Sequence, residues 1–222
     1  MTFSIAARCA QTGRFGIAIA SSSPAVAARC AHVRAGIGAV CSQNITDPRL
    51  GPAALDLMAL GIAPAMALER LADSRAHIAF RQLTAIGAQG PGAFFSGARV
   101  LDRKAAVTGR DCVAAGNMLG DAGVPAAMAA AFERASGALG ARLMAALRAG
   151  LDAGGEVGPV RSAGLLVAGT EAWPETDLRV DWDESNPVDR LAMLWEIWAL
   201  QAADYVTRAL DPAAAPGFTE TT

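Results

Sequence analysis

The residue with the clearest chemical potential is Thr2, which becomes the N-terminal residue once Met1 is removed. Methionine aminopeptidase trims Met1 when a small residue follows it. Thr2 would then carry a hydroxyl and a free α-amine, whose pKa of about 7.7–8.0 suits a general base at neutral pH. Such a threonine needs no histidine to activate its hydroxyl for attack on a carbonyl. The start of the chain therefore predicts a nucleophile, although many proteins that begin Met-Thr have none.

Other side chains of catalytic type do not form a recognisable pattern. The two histidines, His32 and His77, are far apart and have no metal-ligand spacing with cysteine or acid. The two-residue spacing of Cys30 and His32 points their side chains apart, which favours a core cysteine over a thiol nucleophile. We expect no metal, no cofactor and four thiols buried in the core, Cys9, Cys30, Cys41 and Cys112.

The composition is that of a globular protein with a large core. Hydrophobic residues make up 53% of the 222 residues, charged residues 18%, and the net charge is -2. No basic stripe interleaves with aromatic residues, so nucleic-acid binding is not expected. No apolar run approaches the ~20 residues of a membrane span. The start of the chain has no basic region followed by an apolar run, so we expect a cytoplasmic protein.

The elements that must position Thr2 follow from hydrophobic periodicity. Alternation predicts strands over residues 2–8 and 15–21, joined by a turn at Gly13, and a third strand over 36–43. Residues 25–35 are either a short helix or an irregular crossover. Later segments predict a helix pair at 51–72, strands between 81 and 118, helices at 124–136 and 138–150, strands at 162–168 and 178–181, and a helix at 187–210.

This order predicts one layered α+β domain over residues 1–211, followed by a flexible tail over 212–222. Runs of strands and runs of helices, without strict alternation, indicate largely antiparallel sheets with helices outside. Trp195 and Trp198 on the last helix favour core packing first and a subunit interface second. We expect a homo-oligomer that acts on a small molecule.

Several short stretches in a fixed order resemble the DUF1028 family of bacterial and archaeal proteins. The resemblance covers roughly residues 2–200. It is carried by Met1-Thr2-Phe3-Ser4-Ile5, Ala35-Gly36-Ile37-Gly38-Ala39-Val40 with Ser42-Gln43, Arg81-Gln82-Leu83, Gly116-Asn117-Met118-Leu119, Gly154-Gly155 before Ser162-Ala163, and Leu178-Arg179-Val180-Asp181. The family is similar to the N-terminal-nucleophile hydrolases, which implies a four-layer αββα sandwich with Thr2 as nucleophile.

The resemblance also implies contacts around Thr2. In such a sandwich the third strand is expected beside the first, so Gln43 and Asn44 would border the nucleophile as amide donors, unless they only cap the loop. Asn117 would contribute an amide at the site or form a turn.

Two further residues of this chain lie where a comparison with proteasome subunits suggests functional side chains. Ser22 lies near the place of their carboxylate, although a simple strand-ending loop is the stronger interpretation. Arg34 is the nearest candidate for the cation that they supply as lysine, and would bind a substrate anion if it is not a surface residue. Glu156-Val157-Gly158 departs from the Asp, basic residue and glycine usual in the family, so the resemblance assigns no acid there.

The sequence thus leads to one main hypothesis and two alternatives. The main hypothesis is an amidohydrolase of N-terminal-nucleophile type that cleaves a C–N bond in a small amide, imine or peptide-like substrate, with Thr2 and Asn117 catalytic and Ser22, Arg34, Gln43 and Asn44 binding substrate. The first alternative is a non-catalytic ligand-binding or scaffold protein that keeps the sandwich. The second is hydrolysis at a site elsewhere on the same fold.

Overall fold

The computed structural model describes residues 1–215, which form ten strands and seven α-helices. The strands are β1 Thr2–Arg8, β2 Phe15–Ser21, β3 Ala31–Arg34, β4 Gly38–Asn44, β5 Arg81–Gly87, β6 Ala93–Ser96, β7 Ala105–Gly109, β8 Cys112–Asn117, β9 Ser162–Ala168 and β10 Pro174–Val180. The helices are α1 Val26–Cys30, α2 Leu50–Ala59, α3 Pro64–Ser74, α4 Val124–Arg134, α5 Leu139–Asp152, α6 Pro187–Ala199 and α7 Ala202–Leu210.

The strands form two antiparallel sheets that pack face to face. The six-stranded sheet has the order β10-β9-β2-β1-β8-β7, and the four-stranded sheet has the order β3-β4-β5-β6. Helices α4, α5 and α6 cover the outer face of the larger sheet, and α2 and α3 cover that of the smaller one. The predicted αββα order of layers is therefore confirmed.

The alternating pattern of β1 explains this layering. Phe3 and Ile5 point to the core beneath α4 and α5, while Ala6 points to the core between the two sheets. Because successive side chains of a strand point to opposite faces, Thr2 and Ser4 share the inner face with Ala6. Both residues are buried, and Thr2 is 4% exposed. The nucleophile candidate thus lies at the end of the inter-sheet space.

The expectation that the third predicted strand lies beside β1 is wrong. That strand is β4, which belongs to the opposite sheet, and the neighbours of β1 in its own sheet are β2 and β8. The ambiguous segment contains both a helix, α1, and a short strand, β3, which pairs with β4. Gln43 therefore reaches β1 across the sandwich and not along a sheet.

The last predicted helix is two helices, which separate at Leu200 and Gln201. Trp195 packs on Gly140 of α5, and Trp198 stacks on Tyr205 with ring centroids 4.9 Å apart. Both tryptophans therefore make contacts within the chain. Most of the predicted tail, from residue 216 onward, lies outside the described residues. No helix within residues 1–215 has the length and apolarity needed to cross a bilayer.

Candidate active site

Four polar side chains form a row across the inner face of the larger sheet, at one end of its four central strands. Strand register places Asn117 opposite Thr2 and Ser162 opposite Ser21. The hydroxyl oxygens of Thr2 and Ser21 are 3.3 Å apart. Side chains directly opposite each other in an antiparallel pair have Cβ atoms about 5 Å apart. Three side chains that suit acyl transfer, Thr2, Ser21 and Asn117, therefore lie together.

The carbonyl group of Met1 lies within this row. Its oxygen accepts a hydrogen bond from the hydroxyl of Thr2 and another, at 2.5 Å, from the hydroxyl of Ser21. The Ser21 oxygen also accepts the backbone N–H of Ser23 at 3.1 Å, which directs the Ser21 proton towards the carbonyl. A carbonyl attached to Thr2 is thus held by a fixed hydroxyl donor, as an oxyanion requires.

A chain of buried amides fixes the orientation of Asn117. The carbonyl of Gly116 can only accept a hydrogen bond, so Gln82 must turn its Nε2 towards it, at 3.0 Å. The Gln82 Oε1 then accepts the Asn117 Nδ2 at 3.0 Å and the Gln43 Nε2 at 2.8 Å. This leaves the Asn117 Oδ1 without a donor among the described residues, although the residue is fully buried. A buried acceptor without a partner therefore lies beside Thr2.

Glu156 is a second buried acceptor near the N-terminus. Gly154 and Gly155 have positive φ values of 119° and 51°, and this turn lets Glu156 pair with Leu119 just beyond β8. Glu156 is 6% exposed, and neither carboxylate oxygen has a hydrogen-bond partner in residues 1–215. Burial raises the pKa of Glu156 to about 7, while the Met1 ammonium and the nearby Ser22 act in the opposite direction.

The residues predicted to bind substrate do not all lie in the row of side chains around Thr2. Gln43 is buried and accepts the Ser4 hydroxyl at 2.7 Å, so both ends of its amide are occupied. Asn44, with a φ of 76°, donates to the carbonyl of Phe80 at 2.6 Å and joins two loops. Ser22 is half-buried beside Glu156. Gln43 thus supports the site through the amide chain, and Ser22 borders it.

Arg34 is not brought to this group. It pairs with Gly38 at the opposite end of β4 from Gln43, and its guanidinium donates to Asp56 at 2.8 Å. Burial raises the pKa of the Cys30 thiol and lowers that of His32. Within residues 1–215, no three His, Cys, Asp or Glu side chains are grouped to hold a metal ion.

Sequence reasoning gave too little weight to Ser21, Gln82 and Glu156. Ser21 is the last residue of the predicted strand over 15–21, and alternation along β2 places it on the inner face with Ile17 and Ile19. Gln82 alternates in the same way on β5. The signal for Glu156 is the Gly154-Gly155 pair, since two glycines allow the turn that returns the chain to β8.

The layer order, with Thr2 at the start of an inner strand, defines an N-terminal-nucleophile-hydrolase-like sandwich. The chain belongs to the family described as "Family of unknown function (DUF1028)", whose family model matches residues 2–191. The crystal structure of protein SPO2555 from Silicibacter pomeroyi, assigned to the same family, is similar over 92% of each chain, with 32% identity and a TM-score of 0.84.

More distant structural similarities also exist. Anbu (ancestral beta-subunit) from Yersinia bercovieri has 12% identity and a TM-score of 0.43, over 98% of this chain and 99% of that one. Thiobacillus denitrificans BPH in complex with epoxomicin has 14% identity and a TM-score of 0.39, over 77% of this chain and 100% of that one. No curated protein sequence matches the chain. The family assignment rests on the family model and SPO2555.

Proposed function

We propose that this protein is an amidohydrolase of N-terminal-nucleophile type, which cleaves a C–N bond in a small amide or peptide-like substrate. Removal of Met1 would free the α-amine of Thr2 at the end of β1. The observation that carries the proposal is the Asn117 Oδ1, which lies directly across from Thr2 and has no hydrogen-bond partner in the described part of the chain. A free α-amine supplies additional N–H donors at this place, and one of them satisfies the buried acceptor.

The side chains at the site support a two-step reaction. The α-amine, oriented by Asn117, takes the proton of the Thr2 hydroxyl as its oxygen attacks the substrate carbonyl carbon. The Ser21 hydroxyl donates to the resulting oxyanion, as it donates to the Met1 carbonyl. The protonated amine then gives its proton to the leaving nitrogen. Water hydrolyses the ester on Thr2 by the same route and restores the free hydroxyl.

The test has two parts, the state of the N-terminus and the need for the Thr2 hydroxyl. Intact-mass measurement of the protein isolated from its natural source should show the loss of Met1. A panel of small amides assayed for amine release should show turnover that Thr2→Ala abolishes and Thr2→Ser partly retains. Retention of Met1 in fully active protein would exclude the α-amine as the base.

A non-catalytic ligand-binding role is the second candidate function. It follows if Met1 is retained, because the Met1 carbonyl then occupies the hydroxyls of Thr2 and Ser21. This role predicts that Thr2→Ala leaves ligand binding intact and that no amide in the panel is turned over.

A further inference from the structure

Met1 is recognised by three parts of the site. Its carbonyl oxygen accepts hydrogen bonds from Thr2 and Ser21. Its thioether lies over Gly158, where an added Cβ would come within 3.0 Å of the methionine Cε. Its ammonium interacts electrostatically with Glu156. The carbonyl, side chain and amino group of one aminoacyl residue are thus each in contact with, or attracted by, a different group of the protein.

We propose that the substrate is a small amide of an α-amino acid with a free amino group, and that its aminoacyl part occupies the space that Met1 leaves. This inference rests on the proposed function, because it names the substrate class of the same site. Only the Cα and Cβ atoms of Thr2 separate its nitrogen, which carries Met1, from its hydroxyl oxygen, which would carry the substrate. An acyl group on either atom therefore reaches the same space.

Glu156 is the group that selects a free amino group. Its carboxylate is buried beside Ser22 and lines a cavity of about 330 Å³ together with Gly158, and no cation of residues 1–215 lies within salt-bridge distance of it. A buried carboxylate without a cation beside it is unfavourable, and an ammonium ligand compensates for it with a charge-assisted hydrogen bond. An N-acylated substrate has no charge to offer and leaves Glu156 uncompensated.

The two acceptors would serve two different amines. Asn117 lies opposite Thr2 in the strand pairing and receives the α-amine of Thr2 itself. Glu156 attracts the ammonium of Met1, the residue before Thr2, and receives the amine of the substrate. The catalytic base is therefore not the group that Glu156 binds.

The wall around Gly158 accepts an unbranched apolar side chain. Gly158 leaves the room that the Met1 thioether occupies, and Leu151, Pro159 and Val160 line the adjoining cavity that Gly158 shares with Glu156. In the reaction, the amide C–N bond breaks as the C–O bond to Thr2 forms, and ammonia leaves with the proton held by the Thr2 amine. Water then cleaves the ester and releases the free amino acid.

Two matched compounds test the proposal on protein without Met1. L-methioninamide carries the free amine, and N-acetyl-L-methioninamide lacks it. We expect kcat/KM for L-methioninamide to exceed that for the acetylated compound at least tenfold. Glu156→Gln should remove this preference mainly through KM. Asp152→Asn, a neutralisation of a nearby exposed carboxylate, should leave it unchanged.

The outcomes separate this inference from the proposed function. Equal turnover of both compounds, dependent on Thr2, would overturn the substrate class and leave the amidohydrolase intact. If neither compound is turned over, calorimetry with the Thr2→Ala variant measures the binding of L-methioninamide directly. Binding that is lost in the Thr2→Ala, Glu156→Gln double variant supports recognition of the amine by Glu156. No binding to the Thr2→Ala variant overturns the inference.

The side-chain contact is tested by filling the space over Gly158. Gly158→Val should raise KM for L-methioninamide at least tenfold while leaving glycinamide unaffected. An equal effect on both amides would contradict the assignment of this space to the side chain.

Discussion

Asn117 lies directly opposite Thr2 in the pairing of β8 with β1, and no group within residues 1–215 donates a hydrogen bond to its side-chain oxygen. Gln82 imposes this orientation of the Asn117 amide. Its Nε2 donates to the Gly116 carbonyl, so its Oε1 faces Asn117 and can only accept a hydrogen bond from the Asn117 Nδ2. The acceptor is therefore held rigidly before any amine is present. Such preorganisation is what positioning a catalytic amine requires.

Asn117→Ala should lower kcat by at least about tenfold, because the Thr2 amine loses its acceptor and its orientation. Steady-state kinetics on a small amide measures this effect. Asn44→Gly is the matched control, since Asn44 has a φ of 76° that glycine tolerates and its amide joins two loops. A kcat that falls equally in both variants would assign Asn117 a structural role.

Ser21→Ala should lower kcat about 10²-fold, the usual cost of losing one oxyanion donor. KM should change little, because the donor acts mainly as charge develops on the carbonyl oxygen. Ser23→Ala is the control, since Ser23 contacts Ser21 through its backbone N–H. Unchanged kcat in Ser21→Ala would remove Ser21 from the mechanism.

Glu156 should make the protein less stable as pH rises from about 4.5 to 7. Burial raises its pKa in the folded protein to about 7 from the ordinary value of 4.5, so the folded state holds the proton more tightly and loses this advantage once the carboxyl ionises. The loss should reach about 3 kcal/mol at most. Urea unfolding of Met1-containing protein at pH 5 and pH 8 measures it. Glu156→Gln should remove this loss and leave only the opposite contribution of His32, whose lowered pKa makes the folded state more stable as pH rises, whereas Asp152→Asn should keep the loss.

Gln82→Leu should destabilise the protein by about 3 kcal/mol, since Asn117, Gln43 and the Gly116 carbonyl each lose a buried partner. The urea midpoint should fall with an unchanged slope. Gln11→Leu, at an exposed position, should change stability by less than about 0.5 kcal/mol. Similar stability of both variants would mean that the amide chain contributes little.

The outer face of α6 should mediate self-association. Met193, Ile197 and Leu200 lie on this face and are 55%, 59% and 85% exposed. Two copies of α6 packed antiparallel about Met193 would bring Arg190 of each copy near Glu196 of the other. We propose that the partner on this face is a second copy of the chain. Ile197→Glu should therefore lower the sedimentation coefficient. Leu60→Glu, which changes an exposed apolar residue elsewhere on the surface, should leave it unchanged. A wild-type monomer would overturn this proposal.

Much of the fold follows from local sequence. The period-2 patterns of 2–8 and 15–21 and the buried strand predicted at 162–168 match β1, β2 and β9 residue for residue. Alternation also assigns Thr2 and Ser4 to one face, and the identity of Thr2 suggests the chemistry. These features depend on near neighbours, so the sequence determines them by itself.

Only the tertiary structure decided how the strands and loops meet. It places β4 in the opposite sheet, takes Arg34 to the far end of β4, and returns Glu156 to the N-terminus by pairing with Leu119. The order of strands in a sheet and the path of a loop depend on which apolar faces pack together over long sequence separations. The alternating pattern of a strand does not specify them, because it is the same whichever strand becomes its neighbour. The sequence therefore determined the strand that carries Thr2, the candidate nucleophile, and packing decided which acceptors surround that residue.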